Sequence, residues 1–183
     1  MKKYNIIIKT GEAEIRAIEH LPIEATSNMF PIIELTRGRK ITRSNTASYP
    51  FDKRLEKIKD VFEGQDVCID VTSDPALSSP ETHALYNPKN GYENWVRFLL
   101  GLKAENKFGN IVPTILWNFD DPNFEDNIKV QITSLTKEFG MLAYRNPIEE
   151  DAGFYEDIET FIKDMSLLFI VDCEYVPMAS CQN

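Results

Sequence analysis

The chain has 183 residues, 43% hydrophobic and 27% charged, a size expected to form one domain that buries about 70% of its unfolded surface. Its 29 acidic residues outnumber 20 basic ones, for a net charge of −9. That balance argues against broad contact with a phosphate backbone, which needs clustered Lys and Arg. The longest apolar runs, such as LLFIV, fall far short of the ~20 residues that span a bilayer. The apolar start at NIII is broken by Lys9, Glu12 and Glu14 and makes a poor signal peptide. Three cysteines, Cys68, Cys173 and Cys181, form no CxxC pair, which favours free thiols, a reducing compartment and a cytoplasmic location. Cys173, on the last predicted strand, is expected to be buried and inert, and Cys181 to be reactive.

In chain order, the spacing of apolar residues predicts a strand over 4–9 and a helix over 12–21, then a strand over 30–35 and a helix over 51–63. A strand over 66–72 follows, then a helix over 91–107, in which Trp95, Phe98, Leu99 and Leu102 recur at helical spacing. Next come a strand over 110–117 and a helix over 124–139, which opens on acids and closes before Gly140 as a dipole and C-cap prefer. A strand over 141–145, a helix over 153–165 and a strand over 167–173 complete the series. Strand and helix alternate throughout, which implies an α/β fold of about six parallel strands covered by helices. Short right-handed crossovers make sequential strand order the expectation. Two segments stand apart from this pattern. RGRKITR at 37–43 concentrates Arg37, Arg39, Lys40 and Arg43, either as a solvated loop or as a grip for a phosphate or acidic partner. SDPALSSPETHALYNPKN at 73–90 reads as a long loop, with three prolines and many turn formers.

Five apolar runs end on a charge: Lys9, Glu34, Asp70, Arg145 and Asp172. Parallel strands bring their C-terminal ends to one face, where ligands and catalytic residues of such folds gather. The five would then ring the mouth of a barrel or crevice, with Trp117 and Asn118 beside them. Three carboxylates could hold a divalent cation or act as general acid and base. The Lys and Arg could hold a phosphate or carboxylate. The same charges could equally be paired plugs, or point to solvent. The alternatives differ in consequence, because a functional mouth tolerates substitution without unfolding whereas buried pairs do not. Asp74 and Asp120 belong to turns or caps. GxGxxG, GxxxxGK[ST], HExxH and GxSxG do not occur. With His20 before Leu21–Pro22 and His83 in the long segment, a nucleophile–His pair is improbable.

The segments YNIIIKTGEAEIRAIEHL and FPIIELTRGR, with CIDVT, VPTILW, LAYR and LFIVD after them, resemble the phage-associated beta-protein family over most of the chain. The resemblance implies a TIM-like (β/α) barrel of the kind found in prophages and mobile elements, often beside antiviral defence or toxin genes. It also implies that Lys9, Glu34, Asp70, Arg145 and Asp172 occupy recurring polar strand-end positions. Members of the family are longer, and six strands fall short of the eight of a closed barrel. The expectation is therefore a single βα-repeat domain over 1–183, a partial barrel whose open strand edges invite self-association or a protein partner. Two functions follow. One is a non-catalytic component of a phage–host conflict module, in anti-phage defence or toxin control, that binds a partner protein and needs no cofactor. The other is a TIM-barrel enzyme acting at the strand C-terminal face on an anionic or phosphorylated substrate, with a divalent cation such as Mg2+ as the cofactor such acids would hold.

Overall fold

Among the described residues, the apolar runs form strands and the amphipathic stretches between them pack one stripe of side chains onto the sheet. The computed structural model describes residues 4–38, 41–43, 46–48, 51–118, 120–147, 162 and 165–172. Strand β1 spans Tyr4–Lys9, β2 Met29–Leu35, β5 Val67–Val71 and β6 Ile111–Pro113. These four form one parallel sheet in the order β1-β2-β5-β6. Strands β7 (Leu142–Pro147) and β8 (Leu167–Asp172) form a separate parallel pair. A single parallel bridge, Thr114 to Ala143, lies between the two groups. There Thr114 N–H donates to the Ile69 carbonyl on β5, and Ile115 N–H donates to the Ala143 carbonyl on β7. The α/β class and the parallel strands are as the sequence predicts.

Helices α1 (Glu12–Glu19), α3 (Phe51–Val61), α5 (Lys89–Glu105) and α6 (Phe124–Glu138) follow the predicted spacing, and a short α2 covers Ile23–Thr26. They bury Ile15, Ile18, Leu55, Ile58, Trp95, Leu99, Ile128 and Leu135 against Ile8, Ile33, Leu35, Ile69 and Val71 of the strands. The alternate residues of the same strands form a second, smaller cluster of Ile32, Cys68, Val112, Ala143 and Ile170. This division is the period-two alternation of strands with both faces covered. The predicted helix over 153–165 lies outside the described residues except for the buried Ile162 and for Met165. Cys173 and Cys181 also lie outside them. No described helix is long and apolar enough to cross a membrane.

Two segments correct the sequence reading. The stretch after β2 holds an antiparallel hairpin, β3 (Ile41–Arg43) with β4 (Thr46–Ser48); its three-residue strands are too short to show a period. The presumed loop over 73–90 is largely helical. Pro75–Leu77 makes a 3-10 turn capped by Asp74, whose Oδ1 accepts from Ala76 N–H at 2.7 Å. Helix α4, Pro80–Leu85, starts in a capping box: Ser79 Oγ accepts from Thr82 N–H at 3.3 Å, and Thr82 Oγ1 accepts from Ser79 N–H at 2.7 Å. Proline, read as a breaker, sits here at the first helical position, where its missing N–H costs nothing.

Candidate functional site at the strand C-terminal ends

Register decides which charges meet. Lys9 pairs with Glu34 across β1 and β2, and Glu34 pairs with Asp70 across β2 and β5. Three of the predicted residues therefore stand in one row, and alternation puts them on the same side of the sheet as Ile32 and Cys68. Arg145 arrives from β7. Its Nη1 donates to Glu34 Oε2 at 2.9 Å and to Asp70 Oδ2 at 2.7 Å. Asp70 Oδ1 accepts from Val71 N–H at 2.8 Å. Lys9 Nζ lies 3.8 Å from Glu34 Oε1, and its side chain is 42% exposed where that of Glu34 is 4%. Four of the five predicted charges therefore converge. Of the fifth, Asp172, the backbone register opposite Pro147 is described and the side chain is not.

The row is mostly buried. Glu34 and Asp70 are 3% and 4% exposed. Burial raises the proton affinity of Asp70, with Glu34 adding to the rise, and the Arg145 guanidinium opposes both. Glu34, Asp70 and Arg145 are paired with one another, while Lys9 reaches solvent. One residue beyond the row, Thr10 Oγ1 accepts from Thr36 N–H at 2.8 Å and donates to the Thr36 carbonyl at 3.1 Å, tying β1 to β2. Two residues below Asp70, the Cys68 thiol lies 3.6 Å from Thr114 Oγ1. Burial, reinforced by Asp70, pushes it up to about 12. It is therefore no thiolate nucleophile near neutrality.

Trp117 and Asn118 do not join the row among the described residues. Trp117 packs with the helix-side core, and its carbonyl accepts from Tyr86 Oη at 2.6 Å. Asn118 Oδ1 accepts from Asp120 N–H at 3.0 Å in the turn that follows. Of the basic segment, Arg37 is exposed and its N–H donates to the Leu77 carbonyl. Only the backbone of Arg43 is described, in β3, and Arg39 and Lys40 lie outside the described residues. No group of three or more His, Cys, Asp or Glu that could hold a metal ion occurs among the described residues. Glu34 and Asp70 both point an oxygen at the same nitrogen of Arg145, which takes the position an ion shared by two carboxylates would need.

Sequence reasoning missed the polar supports of the site. Gln131 on α6 is fully buried, and its amide both accepts from Leu116 N–H at 2.7 Å and donates to the Leu116 carbonyl at 2.8 Å. Trp95 Nε1 donates to the Thr114 carbonyl at 3.1 Å. These side chains satisfy the Thr114 carbonyl and both backbone groups of Leu116, just beyond the end of β6. The signal was present: the spacing that buries Ile128, Ile132 and Leu135 puts Gln131 on the same face.

The comparisons with known proteins give one distant likeness. Over 142 residues, 78% of this chain, the sequence is 28% identical to Protein beta of Enterobacteria phage P4, and the match covers 36% of that protein. The chain thus spans about a third of the length of the curated relative it matches. No protein-family model matches the chain, and no solved structure matches it.

Proposed function

We propose that the chain is a partial (β/α) barrel of the phage beta-protein type, and that its strand-end row is a working site for an anionic or phosphorylated ligand. The observation that carries this reading is the reach of Arg145. On a flat sheet with neighbours ~4.8 Å apart, a residue on β7 stands three spacings, roughly 14 Å, from one on β2. Side chains standing upright on such a sheet would not meet, yet Arg145 pairs with Glu34. Curvature toward the inner face explains the contact, as in a barrel wall. The other end of the strands supports the same reading. A cavity of about 760 Å³ is lined there by Asn5 of β1, Phe30 of β2, Val112 of β6 and Leu168 of β8.

In this reading Lys9 meets the ligand. Its ammonium is exposed and only loosely paired, so an incoming anion can take the place of Glu34 beside it. Asp70, with raised proton affinity next to a second carboxylate and a guanidinium, is the proton donor or acceptor. Arg145 holds the two acids in place. A divalent cation such as Mg2+ would have to displace the guanidinium from both carboxylates. Titration calorimetry with a panel of phosphorylated metabolites tests the reading. Binding that disappears in Lys9→Ala supports it, and a panel without a binder or product sinks it.

The likeness to a phage protein favours a second reading, a cytoplasmic component of a phage–host conflict module that binds a partner protein. Tyr4 on β1 and Phe169 and Val171 on β8 are exposed, in the strands where the sequence predicts open edges. Sedimentation of the purified chain as a stable monomer, with an ordinary cooperative melt, would count against association through those edges.

A further inference from the structure

Among the described residues, Arg54 is a buried cation without a counter-charge in contact. It lies in the first turn of α3, 5% exposed, on the helix that buries Leu55 and Ile58. Both its Nη1 and its Nη2 are shut from solvent and have no hydrogen-bond partner. The neighbouring charges on the α1–α3 side are already engaged. Glu12 pairs with Arg16 at 2.7 Å, and Glu19 with Lys57 at 3.5 Å. Glu12 acts on Arg54 only through space, and burial makes the guanidinium easier to deprotonate than usual. The guanidinium packs over Gly38, three residues past β2, where any β-carbon would collide with it. Buried charges are otherwise found paired, because a charge removed from water without a partner is strongly destabilising.

We propose that Arg54 is the anchor of an oxyanion site for a phosphate group, formed where the Gly38 backbone meets the first turn of α3. The guanidinium offers two donors in a planar fork, the geometry that phosphate oxygens accept. The first turn of α3 adds the positive end of the helix dipole. Arg37, exposed one residue before Gly38, adds a second positive charge. A phosphate carrying close to two negative charges matches this surplus better than a single carboxylate does. The site shares no residue with the strand-end row and goes beyond the function proposed for that row.

The test is the thermal melt of the full chain in inorganic phosphate, and separately in phenyl phosphate, against chloride at equal ionic strength. At a hundred times its dissociation constant, phosphate should raise the wild-type Tm by roughly 5–10 °C. Arg54→Met should lose that increment. Gly38→Ala should lose it too, because the added β-carbon displaces the guanidinium while leaving the arginine in the sequence. Arg97→Ala, at an exposed arginine of α5 outside both sites, should keep it. A response to inorganic phosphate alone identifies free phosphate as the ligand; a response to both admits phosphate esters. No phosphate-specific rise in the wild type overturns the proposal, whether or not the variants fold. An equal rise in Arg54→Met also overturns it, and loss of the rise in Lys9→Ala would move the phosphate to the strand-end row.

Discussion

The two faces of the parallel strands solve burial in different ways. On the helix side, Ile8, Ile33, Leu35, Ile69 and Val71 pack under Ile15, Ile58, Trp95 and Leu99, with apolar contact running to the strand ends. On the other side, Ile32, Cys68, Val112, Ala143 and Ile170 form a thin cluster, and the row above them is ionic: Glu34, Asp70 and Arg145. An apolar face gains from every methylene it buries. An ionic row gains only when each charge meets its partner, since desolvation opposes it. The helix side therefore holds the fold by bulk, while the opposite face holds a geometry. A geometry bought at that cost is where specific chemistry is to be sought.

Removing one member of the row should have the largest effect. Arg145→Ala leaves Glu34 and Asp70 buried, facing each other without their shared cation. It should lower the unfolding free energy by ~3–5 kcal/mol in urea denaturation. A loss below about 1 kcal/mol would show that the row is hydrated and that the contrast between the faces is false. Next in size is Gln131→Leu on the helix side, which orphans the N–H and carbonyl of Leu116. A loss of roughly 2–3 kcal/mol is expected from two unsatisfied buried groups. Isosteric packing without loss would mean that the segment after β6 finds other partners.

How much of this could be read beforehand differs between the faces. The strands were legible because runs such as NIII, PIIEL and VCIDV are apolar and β-branched, and their terminal charges marked the C-terminal ends. Register then placed Lys9, Glu34 and Asp70 side by side. Nothing local told that Arg145 would reach over to Glu34, because that depends on the course of the whole sheet. Short elements escaped: the three-residue strands 41–43 and 46–48 have no period, and α4 was hidden by Pro80, which in fact begins it. The start of α5 was misplaced for a backbone reason. Asn90, Gly91 and Tyr92 all have positive φ ahead of the regular helix. Gly91 is required there, with φ +70° and a β-carbon that would strike Val130. The Asn-Gly dipeptide carried that signal. Arg54 was also readable, as one of two charges, with Lys59, at buried positions of the helix that carries Leu55 and Ile58.

A smaller, pH-dependent effect should distinguish Asp70. Burial holds its carboxyl above the ordinary 3.8, so the folded chain binds that proton more tightly than the unfolded chain does. The resulting stability is fully present below the unfolded value and is lost as pH rises through the folded one. Asn cannot titrate. The stability of the wild type relative to Asp70→Asn should therefore fall as pH is raised from about 3 toward neutrality. Urea midpoints for both chains across that range give the difference directly. A difference that grows with pH would mean that Arg145 outweighs burial and that Asp70 stays ionised throughout, which removes it as a proton donor.

The smallest effect on stability is expected at Lys9, and it sharpens the comparison most. Lys9 stands in the same row, but its ammonium is solvated and 3.8 Å from Glu34. Exposed pairs of that kind contribute ~0.2–1 kcal/mol. Lys9→Ala should therefore melt within a few degrees of the wild type, and added salt should narrow even that gap. Its buried neighbours cannot separate folding from function, because substituting them disturbs both. Lys9 can. If the row takes an anion, Lys9→Ala abolishes binding while the melt stays intact, and Lys9→Arg restores part of the binding through the retained charge. If Lys9→Ala binds the same ligands as the wild type, the row is a structural plug and the working surface lies elsewhere on the chain.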